Sequence, residues 1–405
     1  MKKFDKASFW TILLTVFIDM LGVGIIIPVI PSIFFGADSG FFGPEVTEAS
    51  KSIWYGVLLA CFPAMQFIGS PLLGALSDRH GRKPILSISL VGVCFGYLLF
   101  GLAIEMQHLG LLFFSRLLPG FSSGNIAIMY SSISDISKPE EKAKNFGMIG
   151  AAFGLGFILG PAIGGYLADS EVVSWFNHAT PFYFTAIITF INILLVKFRF
   201  PETLKEKRNT PISPFTGFKN LKKSLGDPNL RTIFSVVLLI SLGFTFFTQF
   251  FAVVLLEGFD FTIKDLGLFY GWIGIWLVFT QGFLVGKISM RFSSEQVLKI
   301  TILTLAIGIG INVIFENYMW FYVFAAVIAI SYGLTSPNLT TLVSEKVGAD
   351  RQGEILGINQ SMNSFGQIAP PIVGGFLNIL DGTYPIIAAG VIIAMGWLVF
   401  VIWKK

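Results

Sequence analysis

The sequence predicts an all-α membrane protein of twelve transmembrane helices in two pseudo-symmetric six-helix bundles. Composition is the first reason: 54% of the 405 residues are apolar and only 13% are charged, about half the charged share of a soluble domain. The second is a series of apolar runs, each near the ~20 residues that cross a bilayer. They lie at 8–35, 53–76, 84–104, 109–134, 145–168, 179–198, 231–256, 266–288, 297–315, 318–343, 353–378 and 383–403. The third is the placing of the cations.

All but three of the 28 Lys and Arg fall in segments that an even span count puts on one side. These are Lys2, Lys3 and Lys6; Arg79, Arg82 and Lys83; Lys138, Lys142 and Lys144; the run from Lys197 to Arg231; Lys287, Arg291 and Lys299; Lys346 and Arg351; and Lys404 with Lys405. Cytoplasmic loops collect Lys and Arg, so both termini are expected inside the cell membrane. The opposite loops hold Lys51 and Lys264 against Asp38, Glu45, Glu48, Asp169, Glu171, Glu257, Asp260 and Asp265. The net charge of +4 is therefore topological, and a nucleic-acid partner is not needed to explain it.

Lys2 and Lys3 ahead of the first apolar run look like a signal peptide. Asp19 within that run, its length and the lack of a small-residue cleavage site predict a retained first span instead. Between spans 2 and 3 lies Gly74-Ala-Leu-Ser-Asp78-Arg79-His-Gly81-Arg82-Lys83-Pro84, whose charges would each cost several kcal/mol in hydrocarbon. A surface turn this short forces an antiparallel hairpin. In span 5, Gly156, Gly160 and Gly164 recur every four residues and share a face that admits a close partner helix, and Pro161 adds a kink.

Residues 200–230 are polar and rich in Lys, Asn, Pro and Ser. They read as a cytoplasmic linker between bundles 1–199 and 231–405. The halves echo one another: Gly286-Lys-Ile-Ser289-Met-Arg291 follows span 8 as Gly74-Ala-Leu-Ser77-Asp-Arg79 follows span 2. Pro371-Ile-Val-Gly374-Gly375 likewise repeats Pro161-Ala-Ile-Gly164-Gly165. With six spans per half the copies share one orientation about an axis along the membrane normal, which suits two bundles rocking around a central cavity.

Asp19 and Arg116 are the ionisable side chains that fall deep within spans. Intramembrane charge is costly and marks ion or substrate pathways by default; a purely structural pair tying spans 1 and 4 is the alternative. Desolvation favours a neutral carboxyl and a nearby guanidinium an ionised one, so movement relative to Arg116 would load and release a proton. Spans 7, 8, 10 and 11 supply the uncharged amides Gln249, Gln281, Asn338, Asn359, Gln360, Asn363 and Gln367. Amides can line a water-filled cavity and, with 43 phenylalanines, suit a neutral, zwitterionic or amphipathic cargo better than an anion.

Cys61 and Cys94 lie inside spans, so no disulfide is expected. His80, His108 and His178 have no ligand-spaced partners, and no phosphate-binding loop or nucleophile constellation is present. An enzyme, a bound metal and a cofactor are not expected. The expected partners are a small-molecule cargo, protons and the lipid bilayer, with the chain acting as a monomer.

The loop from Gly74 to Pro84 resembles the signature between helices 2 and 3 of the major facilitator superfamily. Phe114-Ser-Arg116-Leu-Leu-Pro-Gly120 is similar to its helix-4 motif, and Gly150 to Gly165 to the helix-5 motif of its proton-driven antiporters. Asp19-Met-Leu-Gly-Val-Gly-Ile-Ile-Ile-Pro28-Val-Ile-Pro31 resembles the first helix of its twelve-helix drug/proton antiporters, tetracycline exporters in particular. The likeness is strong over the first half. It implies proton-coupled efflux of a small amphipathic compound by alternating access, with Arg116 modulating Asp19. A proton-coupled symporter or facilitator for a sugar or other small metabolite is the alternative. It further implies a cytoplasmic gate of Gly74, Asp78, Arg79, Gly81, Arg82 and Asp135, in which Asp78 sits at the start of span 11 and Arg82 reaches Asp135. The glycine face of span 5 is expected at the interface with the second half. The resemblance departs where tetracycline exporters carry acids in helices 3 and 9 and a histidine in helix 8: here stand Gly96, no acid across 297–315, and Leu277. Gln281 matches.

Cysteines placed at Ser213 and Ser39 test the topology. An impermeant thiol reagent added to intact cells should label position 39 and spare 213; the reverse pattern would overturn the assignment.

Overall fold

The computed structural model describes residues 3–35, 41–43, 45–137, 142–204, 213, 215–226, 228–315, 317–345 and 352–403. Several supports of the topology, among them Lys2, Ser39, Lys138, most of the linker, Lys346, Arg351 and the terminal Lys404–Lys405, lie outside these residues. The described chain is helical throughout its spans, and eleven helices are long and apolar enough to cross a membrane. Their ends fall within a few residues of the expected spans: Lys3–Phe35, Glu48–His80, Arg82–Glu105, Leu109–Ile136, Lys142–Leu167 and Thr180–Arg199 in the first half. The second half has Pro228–Phe259, Lys264–Ser289, Ser294–Val313, Met319–Ser344 and Tyr384–Trp403.

The twelfth is span 11, expected as one helix over 353–378. It is two, Gln352–Gly366 and Ala369–Leu380, joined by a turn at Gln367 and Ile368. Pro370 and Pro371 account for the break, because neither has an amide to donate back to the carbonyls of Gly366 and Gln367 and so extend the first helix. Span 4 is also interrupted, by a 3-10 turn at Ser123–Asn125, and span 8 passes through a π-helical turn at Thr280–Leu284. The linker contains a short helix, Thr216–Gly226, that hydropathy does not disclose.

Apolar packing falls into two regions. One, built from residues such as Ile12, Val16, Leu86 and Met129, is confined to the first half. The other joins both halves, with Tyr55, Phe34 and Phe250 at its centre. Here the Tyr55 hydroxyl donates to the Gln249 carbonyl at 2.6 Å, and the Tyr55 and Phe250 rings meet edge-on at 5.7 Å. Glycines let spans 2 and 11 touch through their backbones: a Cβ on Gly375 would stand 2.6 Å from the Ser52 carbonyl, and Gly56 packs on Pro371. The halves are therefore sealed together at the end of the bundle that carries Glu48.

Span 5 corrects the sequence reading. Cβ atoms on Gly156, Gly160 and Gly164 would meet Phe17 O at 2.6 Å, Leu21 O at 2.6 Å and Ile25 O at 2.7 Å, so this stripe packs on span 1 of the same half. The second half meets other faces of span 5, through Gly154 near Gln281 and through Pro161 and Ala162 near Gly267 and Gly271. A stripe of small residues specifies a close partner without specifying which one. Gly24, facing Gly160 across span 1, supplies the matching groove.

Gly160→Val should lower stability by about 1–3 kcal/mol, because the backbone it would strike cannot yield as a side chain does. Gly286→Ala, at a site where a Cβ meets nothing within 4 Å, should cause no loss. Thermal unfolding of the two purified variants in detergent checks both expectations.

Candidate functional site

Four polar groups are buried inside the first half. Asp19 of span 1 and Arg116 of span 4 are 5% and 6% exposed, and Tyr97 of span 3 is buried with them. Tyr97 lies within electrostatic range of both Asp19 and Arg116. The fourth is Asn125, in the 3-10 turn of span 4, which stands beside Asp19 and is fully buried. Asp19 and Arg116 do not form a direct ion pair in this conformation. Arg116 instead lays its guanidinium over the Phe62 ring, 4.9 Å from the centroid.

Asp19 Oδ1, Arg116 Nε and both amide atoms of Asn125 are buried without a hydrogen-bond partner. Native interiors leave few such atoms, and each costs about 1–3 kcal/mol, more when charged. A site held in that state suits a proton or cargo that comes and goes. Local packing explains why the acid of helix 3 is missing here: a Cβ on Gly96 would already meet Pro119 ring carbons at 2.6 Å, so no side chain fits.

The second cluster closes the turn between spans 2 and 3. Gly81 adopts φ +113° and ψ 153°, a conformation that L side chains rarely enter. This bend brings Arg82 back against the end of span 2. The Arg82 guanidinium is 2.6 Å from Asp78 and 3.1 Å from Asp135, and it donates to Ser77 Oγ at 2.7 Å. Ser77 in turn donates to the Gly74 carbonyl. Arg79 is exposed and outside this network. Residues 346–351, which precede span 11 where Asp78 was expected to dock, lie outside the described residues.

Glu202 joins this corner although the sequence reading passed over it. Its carboxylate accepts the amides of Arg82 at 2.9 Å and Lys83 at 3.2 Å, the exposed N–H groups that open span 3, where a negative charge is favoured. It is 120 residues from Arg82 in sequence, and no spacing rule connects them.

The amides of the second half have different surroundings. Gln281 sits in the π-helical turn with Oε1 buried and unpartnered against Gly154, and Asn359 Oδ1 is unpartnered too. The Asn338 amide donates to Leu334 O within its own helix. Gln249 and Asn363 offer backbone carbonyls to Tyr55 and Ser241, and Gln360 is half-buried. Aromatic groups reach the same region: Phe244 and Tyr332 stack at 3.6 Å, and Tyr130 of span 4 lies within electrostatic range of Tyr332. A cleft of about 380 Å³ among Phe251, Phe259, Asn312, Phe321 and Thr383 includes none of these amides.

The Major Facilitator Superfamily model matches residues 12–371. The chain belongs to this superfamily. Major facilitators are transporters, so it is a multi-pass membrane protein that moves a small molecule and is not an enzyme. It is 29% identical to multidrug resistance protein 2 of Bacillus subtilis over 99% of this chain and 96% of that protein. It is also 29% identical to the class C tetracycline resistance protein of Escherichia coli, over 89% of this chain and 87% of that one. Among solved structures, the human organic anion transporter MFSD10 superposes with a TM-score of 0.76 at 18% identity, covering 98% of this chain and 99% of that chain. The xylose transporter XylE of E. coli superposes with a TM-score of 0.75 at 16% identity, covering 100% and 98%. These two likenesses establish the major facilitator fold.

Arg82→Met would leave Asp78 and Asp135 facing one another in a partly buried corner. Removing one partner of a buried ion pair costs about 3–5 kcal/mol, so the variant should melt well below the parent. Asp78→Asn combined with Asp135→Asn in the same background should recover part of the loss, as read by thermal unfolding.

Proposed function

We propose that this transporter is a proton-coupled exporter of small amphipathic compounds, drugs among them, working as a monomer by alternating access. Support comes from relatives named for multidrug and tetracycline resistance, and from a quinolone resistance protein of Staphylococcus aureus at 30% identity over 89% of this chain. The observation that carries the coupling is the buried cluster of Asp19, Tyr97, Asn125 and Arg116 with its unpartnered atoms.

Asp19 is the proton carrier in this reading. An ionised Asp at a span centre costs about 2.5–3.5 kcal/mol on insertion scales, and taking up a proton removes that cost, so loading the site biases the balance between two packings of the bundles. One charge crossing 100 mV supplies about 2.3 kcal/mol, enough for roughly a fiftyfold cargo gradient. The bundles 1–199 and 231–405 rock about the linker, with both termini cytoplasmic. The Arg82 corner with Asp78 and Asp135 acts as the inner latch. The uncharged amides and aromatic rings of the second half receive a cargo that needs no fixed countercharge.

Expression in a pump-deficient host should raise resistance to at least one of tetracycline, norfloxacin and ethidium. Asp19→Asn should abolish gradient-driven export and cargo-induced proton release in proteoliposomes while leaving downhill exchange. Undiminished proton release from Asp19→Asn would move coupling elsewhere, with Glu105, Asp135 and Glu257 next in line.

A further inference from the structure

Span 4 tightens into a 3-10 turn where it passes Asp19. A Cβ on Gly124 would stand 2.5 Å from the Gly69 carbonyl carbon, and one on Gly120 would stand 2.6 Å from the Phe62 carbonyl. These contacts clamp the interrupted part of span 4 onto span 2. Asn125 closes the 3-10 turn and is fixed by it, 0% exposed, with neither amide atom bonded. Arg116 lies nine residues earlier, about 13 Å along the helix axis. In this conformation the group beside Asp19 is therefore the carboxamide.

A guanidinium can only donate, so it cannot accept the O–H of a protonated carboxyl. A carboxamide can do more. Its N–H₂ donates to a carboxylate, and its carbonyl accepts from a protonated carboxyl, so rotation about one bond fits it to either state of Asp19. A leucine of the same size would avoid the cost of the unpartnered amide and could do neither.

We propose that Asn125 is a positioning residue for proton transfer: it holds the Asp19 carboxyl in both of its protonation states on the side of the cycle where Arg116 is out of reach. This rests on Asp19 being the proton carrier. Among the described residues, Tyr97 from span 3 and Arg116 from span 4, with Cys61 of span 2 near Arg116, are the other titratable groups around this site. Span 5 packs its glycine stripe on the other face of span 1, against Phe17, Leu21 and Ile25, and span 6 contributes Thr185 beside Gly22 and Asn192 bonded to Thr15.

Infrared difference spectroscopy across a pH titration, on the purified full-length protein in nanodiscs, tests this without a cargo. The Asp19 carboxyl band is the one lost in Asp19→Asn. In wild type it should lie at a hydrogen-bonded frequency, in Asn125→Leu it should shift up to the free-carboxyl frequency, and Asn125→Gln should return it part of the way. Asn125→Ser, which keeps a small hydrogen-bonding group, serves if the leucine variant does not fold, and should move the band by a smaller amount. A band at the same frequency in wild type and in these variants would overturn the proposal. No Asp19 carboxyl band at any pH, or gradient-driven export retained by Asp19→Asn, would instead remove the proton carrier itself; a band shift in Asn125→Leu alongside retained export would leave the contact standing without its role in coupling.

Discussion

Spans 1 and 5 touch through their backbones, and most of the first half's chemistry follows from that contact. Gly156 packs on Phe17, Met20 and Leu21, the residues that flank Asp19, while Gly160 and Gly164 continue the stripe along Leu21, Gly24 and Ile25. The contacts are mostly with backbone, so small shifts of span 5 carry span 1 with them and little is absorbed by rotamer changes. The same helix meets the second half on other faces, at Gly154 against Gln281 and at Ala162 against Gly271. Span 5 thus connects the buried carboxyl of one half to the π-helical turn of the other. Such turns concentrate at functional sites.

At the opposite corner the constraint is electrostatic. Arg82 is buried with two carboxylates around it, and Glu202 holds the amides that open span 3. Gly81 makes this possible, since a side chain at its φ of +113° would be strained. The corner is rigid while Arg82 stays in place and destabilised once it leaves. Rigid corners of this kind allow a bundle to move as a body.

The spans were legible because hydropathy and length report directly on burial in lipid. The break in span 11 is written in Pro370 and Pro371, though a window that averages over 20 residues does not see it. Arg82 beside Asp135 follows from the family likeness. Asn125 escaped because it is neutral, and the search for intramembrane chemistry in the first half looked for charge; the Ser-Gly-Asn sequence in mid-span was the available signal. The Asp19–Arg116 pair and the partner of the span 5 stripe could not be read correctly, since both depend on which way a helix is turned. Sequence spacing sets a face and leaves its direction open. Glu202 belongs to the same class, a contact made by tertiary packing alone.

The central claim is that protonation of Asp19 selects between two arrangements of the bundles. Spin labels at Trp175 and Tyr318, exposed positions in loops of the first and second halves, report the separation at the end sealed by Tyr55. Pulsed dipolar spectroscopy across a pH series should show two distance populations whose ratio follows pH in wild type, and one population at every pH in Asp19→Asn. A ratio that ignores pH in wild type, or still follows it in Asp19→Asn, would contradict the account.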